Sequence, residues 1–212
     1  MTSVARTLAR VDPRIPSAFV LLGIIVMAVH YAGPQLGGEG LDGEFNAPAI
    51  FSTAVLLWAA VNTAGLAASY AARSRPRVLF LAFAGILAYF GTDELLSFHE
   101  ELESWTGVDW EVLYLPLVVA GAVTGLGVLL ELRQHRPLQA VYVAGGLAWV
   151  VAQLLEVIQW DGDVLVLPAT IYPEELLEVT GSAVFALAAL IALRKRVVLR
   201  SAQDHRQMSH RR

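Results

Sequence analysis

Six ionisable residues, Asp93, His99, Glu100, Glu156, Glu175 and Glu178, stand inside or at the edge of strongly apolar segments. An ionisable group in such a setting is costly, and it is retained where it binds or reacts. Carboxylates gathered at short range repel one another unless one takes a proton or a cation neutralises the group. With an imidazole among them and no Lys or Arg in the same segments, these six form the donor set of a divalent-metal site. Oxygen ligands with one nitrogen suit Mg, Mn, Fe(II), Ca or Zn without choosing among them. All six are expected as ligands, and Asp93 and Glu156 also as catalytic groups. A bound ion would activate water for hydrolysis of a lipid-like substrate, or would itself be the species bound or transported. The Glu-x-x-His pattern of di-iron bundles and the His-Glu-x-x-His pattern of zinc proteases are both absent.

Two other uses of these acids compete. In one, they only meet water and lipid headgroups. Glu174 and Glu175 follow Pro173, where negative charge in a first helical turn offsets the helix dipole. In the other, a desolvated carboxylic acid donates a proton without any metal. Glu156, near Trp149, Gln153 and Trp160 in sequence, fits that role, because aromatic faces stabilise cations. Membrane terpene cyclases work in this general manner. A structural subunit of a larger membrane assembly would need no site.

The elements that must position these residues are transmembrane helices. The chain has 212 residues, 56% hydrophobic and 16% charged, and its mean hydropathy is +0.57. Soluble domains carry about 25% charged residues. Six long, nearly uncharged runs cover 15–33, 47–72, 78–99, 112–132, 138–160 and 173–193. About 20 apolar residues span a bilayer core, and within hydrocarbon such runs must be helical to satisfy their own amides. The expected fold is all-α, a single six-helix transmembrane domain over 1–200. The first run is longer than a signal-peptide core and ends on a poor cleavage site, so it reads as a retained helix. No cysteine is present, which excludes thiolate metal sites and cysteine nucleophiles.

Charge sets the orientation. All 15 basic residues precede the first run, lie between runs two and three or four and five, or follow run six. By the positive-inside rule both termini are cytoplasmic, as expected for a prokaryotic plasma-membrane protein. Of the 19 acids, all but Asp12, Glu131 and Asp204 fall on the other side. Trp105, Trp110, Tyr114, Trp160 and Tyr172 share that level as an aromatic belt. The segment 201–212 is polar and basic, the composition of an unstructured tail. Expected partners are the lipid bilayer and a lipid-like small molecule; nothing points to nucleic acid.

On an unbroken third helix, Asp93 and Glu100 would lie roughly 20° apart, His99 roughly 120° from Asp93, and Glu94 would face elsewhere with Glu101. Glu175, Glu178 and Ser182 would share one face of the sixth. Gly121-x-x-x-Gly125 permits close helix packing. Asn62 and Thr63 are expected to bond a neighbouring helix or their own backbone, and His30 is a further candidate at the same level.

The segment Asp93-Glu94-x4-His99-Glu100 and the later Glu174-Glu175-x2-Glu178 resemble those of an uncharacterised family of small bacterial and archaeal multi-pass membrane proteins. The resemblance covers the third to sixth helices and implies no activity. Alkaline ceramidase-like hydrolases hold zinc with several histidines, and only His30 and His99 lie on the acidic side here.

Overall fold

A computed structural model describes residues 12, 14–31, 47–161 and 164–209. Helix α1 is Arg14–Tyr31, α2 Ala47–Ala68, α3 Arg75–Leu96, α4 Phe98–Thr106, α5 Trp110–Glu131, α6 Arg136–Gln159 and α7 Ile171–Ser209. A two-residue antiparallel ribbon, Trp160–Asp161 with Val164–Leu165, and a short 3-10 turn at Pro168–Thr170 join α6 to α7. Among the described residues, five helices are long and apolar enough to cross a membrane: Ala49–Ala68, Arg75–Leu96, Val112–Glu131, Arg136–Gln159 and Pro168–Arg196. In α1 the apolar stretch is shorter, Leu21–His30.

Helices α2 and α7 form the centre. Most of each is buried, whereas α5 and α6 expose most of their length. Small side chains explain this: Ala59, Ala60 and Ala67 of α2, with Ala183, Ala186, Ala188, Ala189 and Ala192 of α7, let neighbouring helices approach closely. Exposed Leu and Val along α5 and α6, such as Leu115, Val119, Leu126, Leu147 and Leu154, are the surface a bilayer would cover. The core also contains Leu56, Leu66, Phe80, Val128, Tyr142 and Phe185. Asn62 reaches across to α7, its Nδ2 donating to the Ala186 carbonyl at 3.4 Å.

Two close backbone approaches set the rotation of the helices around the site. A Cβ at Gly145 of α6 would sit 3.1 Å from the Gly181 carbonyl of α7, and one at Gly181 would sit 2.9 Å from the Gly145 carbonyl. A Cβ at Gly91 of α3 would sit 2.8 Å from Leu56 Cβ of α2. The Gly121-x-x-x-Gly125 pair of α5 is not the tight crossing; its glycines meet only ordinary contacts at 3.6 and 3.7 Å.

Two expectations change. The third helix does not run through His99: it stops at Leu96, and Ser97 takes a left-handed conformation with φ 46° before α4 begins. Ser97 N donates to the Asp93 carbonyl at 2.7 Å, closing the last turn. The Asp93 carboxylate then takes the His99 N–H at 3.1 Å, so a side chain occupies a donor that helix continuation would have used. The angles reckoned for an unbroken helix therefore do not apply to His99 and Glu100. At the other end of the chain, α7 runs to Ser209, past 193 and into the stretch 201–212 read as a tail. Beyond Gly181 it contains no Gly and no Pro to end it.

Candidate functional site

A cavity of about 260 Å³ opens at the acid-rich end of the bundle. It is lined by Asp93 and Glu94 of α3, His99 and Glu100 of α4, Trp110 and Tyr114 of α5, and Glu174, Glu175 and Glu178 of α7. Helix α6 adds Trp149, Gln153, Glu156 and Gln159. All six residues singled out by their positions in the sequence lie on this one cavity. His30 does not line it; its Nδ1 pairs with the Val26 carbonyl at 3.1 Å within α1.

The cavity has two chemically distinct sides. On one, carboxylates crowd together. Ligand atoms of Glu94, Glu175 and Glu178 all lie within 4.8 Å of one another, as do those of Glu156, Glu174 and Glu178. Glu178 belongs to both trios and is buried, as is Glu174. At that spacing two ionised carboxylates repel by about 3 kcal/mol or more at an effective dielectric near 20. Among the described residues, no Lys or Arg lines the cavity to offset this. Relief comes from amides: Gln153 Nε2 donates to Glu156 Oε2 and to Glu178 Oε1, each at 3.0 Å. Gln159 Nε2 donates to Glu174 Oε2 at 3.4 Å. The close crossing at Gly145 and Gly181 makes this contact of α6 with α7 possible. One turn deeper, Trp149 Nε1 donates to Ser182 Oγ at 3.1 Å.

On the other side, one carboxylate is fully engaged. Asp93 Oδ1 accepts the Tyr114 hydroxyl at 2.7 Å and the His99 backbone N–H at 3.1 Å. Its Oδ2 pairs with His99 Nδ1 at 3.0 Å. The Tyr89 and Tyr114 hydroxyls are 2.8 Å apart; since Tyr114 gives its proton to Asp93, Tyr89 is the donor of that pair. The His99 ring packs against Trp110, with centroids 5.3 Å apart, and edge-on to Tyr114. Burial pulls the His99 imidazole down, but the hydrogen bond and charge of Asp93, helped by Glu100 and Glu156, outweigh it and hold the group above its ordinary value.

With this geometry in view, the comparisons place the chain. A family model described as a domain of unknown function, DUF8692, matches residues 2–193. The chain belongs to that family. No curated protein and no solved structure matches it. For a member of a family without a described activity, the cavity itself is the functional evidence.

Several cavity residues were not legible in the sequence. Glu94 was turned away on an unbroken helical wheel, yet it joins Glu175 and Glu178. Glu174 reads as a dipole-offsetting acid, yet it is buried against Gln159. Tyr114 reads as an interfacial anchor, yet it is 4% exposed and bonded to Asp93. A usable signal existed in spacing: Gln153 and Glu156, three apart, and Glu174 and Glu178, four apart, each share a helix face. Asp93 is a different case. Both its oxygens already accept from protein donors, and it belongs to neither carboxylate trio.

Proposed function

We propose that this chain is a six-span protein of a prokaryotic plasma membrane, with both termini cytoplasmic. Its outward cavity holds a divalent cation on Glu94, Glu156, Glu174, Glu175 and Glu178. The observation that carries the reading is the pair of carboxylate trios sharing Glu178, without a basic residue on the cavity wall. Five acids in such a place are destabilising without a counter-charge, and oxygen-rich sites of this kind suit hard cations. The sixth span would be α1, which packs on α2 and α7 and follows the basic residues Arg6, Arg10 and Arg14. The Asp93-Glu94-x4-His99-Glu100 and Glu174-Glu175-x2-Glu178 segments would then be the family's shared site.

The cation would serve a hydrolase-like reaction on a lipid-like substrate, supplying Lewis acidity at the cavity. Phe90, Trp110 and Trp149 on the wall give an amphiphile an apolar surface beside the polar centre. Cation movement is the second reading, and one finding favours it: Asn62, Thr63 and Tyr142 are buried deeper in the bundle, where the sequence reads as nearly bare of polar groups. Between Ser52 and Thr53 near the cavity and Asn62 and Thr63 below, however, the buried residues of α2 are Val55, Leu56, Ala59 and Ala60. That apolar stretch interrupts a polar path and favours binding and catalysis over transport.

Elemental analysis of protein purified into nanodiscs tests the reading. Wild type is expected to retain a stoichiometric divalent metal, Glu178→Gln to lose it, and Glu101→Gln, an exposed acid of α4, to keep it. Metal-free wild type that also takes up none of Mg, Mn, Ca or Zn would overturn the proposal. Vesicles loaded with a cation-sensitive dye distinguish the second reading, which requires flux that Glu178→Gln abolishes.

A further inference from the structure

We infer that Asp93 and His99 form a general acid–base pair serving the cavity, with His99 Nε2 the atom that exchanges a proton with its occupant. The hydrogen bonds that make the pair involve none of the ligands proposed for the cation.

One carboxylate clamps both the backbone and the ring of His99, through Oδ1 to the peptide N–H and Oδ2 to Nδ1. An ionised carboxylate only accepts, so Nδ1 carries the proton. Nε2 is then a lone-pair acceptor in the neutral ring and a donor in the cation. It makes no hydrogen bond among the described residues, and His99 is on the cavity wall. Asp93 is itself held: Tyr114 donates to it, and Tyr89 donates to Tyr114. A carboxylate fixing the tautomer of an imidazole is the arrangement by which a base is oriented for proton transfer.

The same arrangement also serves histidines that bind metals through the free nitrogen. Here the acid trios decide between the two. Neither trio includes His99, so its nitrogen does not complete either group of ligand atoms. Asp93 and Tyr114 are positioning residues on this view, and His99 is the group that meets the occupant. The groups facing the imidazole are Asp93 and Glu94 of α3, Glu100 of α4, Trp110 and Tyr114 of α5, and Glu156 of α6, with Glu94 and Glu156 acting through their charge. Their negative charge favours the imidazolium over the neutral ring. The occupant's class follows: a molecule with a water, hydroxyl or phosphate oxygen at Nε2.

The test uses full-length protein in nanodiscs carrying H30Q, H135Q, H205Q and H210Q, so that His99 is the single histidine, labelled with nitrogen-15. Ring shifts followed against pH are expected to show the Nδ1–H tautomer when neutral, with a midpoint above the ordinary 6.5. D93N should lower proton affinity about tenfold, one pH unit, and Y114F should lower it less. Acylation of His99 by diethylpyrocarbonate, mapped by mass spectrometry, should follow the neutral fraction. A purely structural pair would leave Nε2 unreactive. The Nε2–H tautomer in wild type, a midpoint unmoved by D93N, or an imidazole unreactive at every pH would each overturn the inference. If D93N fails to fold, the wild-type tautomer and reactivity still decide. E178Q should lose metal and keep the Nδ1–H tautomer of His99, whose hydrogen bonds involve no trio member, which separates a failure here from a failure of the cation proposal.

Discussion

The two sides of the cavity treat negative charge in opposite ways. Around Asp93, three donors from His99 and Tyr114 meet one carboxylate, and the group is paired on both oxygens. Around Glu178, five carboxylates crowd together, and the amides of Gln153 and Gln159 donate to three of them, Glu156, Glu174 and Glu178. A carboxylate paired on both oxygens positions its neighbours, whereas crowded carboxylates are eased by a proton or by a positive charge. Helix origin follows this division. The paired side comes from the α3–α4 break and α5, and the crowded side from α6 and α7, with Glu94 as the link.

The largest expected effect comes from separating α6 and α7. At Gly181 even a Cβ would lie 2.6 Å from Trp149 Cδ1 and 2.9 Å from the Gly145 carbonyl. Gly181→Leu is therefore expected to cost about 3 kcal/mol by overpacking, and to pull Gln153 away from Glu178. Unfolding in detergent should show the loss of stability. Metal retention should fall while the His99 tautomer is kept, and joint loss of both would show that the two sides are one unit.

Next in size is Asp93→Ala. It leaves the buried Tyr114 hydroxyl and the His99 Nδ1 without their acceptor, at a cost of about 2 kcal/mol. A divalent cation should still raise the melting temperature of this variant, since Asp93 is outside both trios. Glu178→Gln should show the reverse pattern, with a cation giving no stabilisation. Equal loss of cation stabilisation in both variants would erase the distinction between the sides.

Gln153→Leu should be smaller, about 1.5 kcal/mol, for two hydrogen bonds to charged acceptors offset by added apolar contact. Its sign should depend on metal. Without a cation, Glu156 and Glu178 lose their shared donor; with one, the ion supplies the missing positive charge. Melting curves with and without added cation check this, and an identical loss in both conditions would remove the cation from the explanation.

How much of this could be read beforehand follows from which forces act locally. Apolar run length marks the five long helices, because bilayer thickness and amide satisfaction act on each segment independently. The same local rule flags Asp93, Glu156 and Glu178 as costly ionisable groups. Helix rotation is not local. It depends on Gly145 meeting Gly181 and Gly91 meeting Leu56, and those partners are far apart in sequence. The break at Ser97 was hidden for a related reason: Asp93 accepts the His99 N–H only once Tyr114, a residue of another helix, holds its carboxylate. That break displaces His99 and Glu100 from the angles of an unbroken helix, whereas Glu94 and Tyr114 depend on helix rotation.

The smallest expected effect is a pH dependence on the paired side. The folded-state proton affinity of His99 is raised above the ordinary value of 6.5. The native state therefore holds the proton more tightly than the unfolded chain does, and protonation favours folding. This contribution is fully present below pH 6.5 and is lost as pH rises through the folded value. Melting temperature should thus decline as pH rises above 6.5, and His99→Gln should flatten that decline. Glu178→Gln should keep the part of the decline that comes from His99, because the hydrogen bonds between Asp93 and His99 involve no member of the trios. A decline that persisted in His99→Gln and vanished in Glu178→Gln would assign the titration to the crowded acids instead.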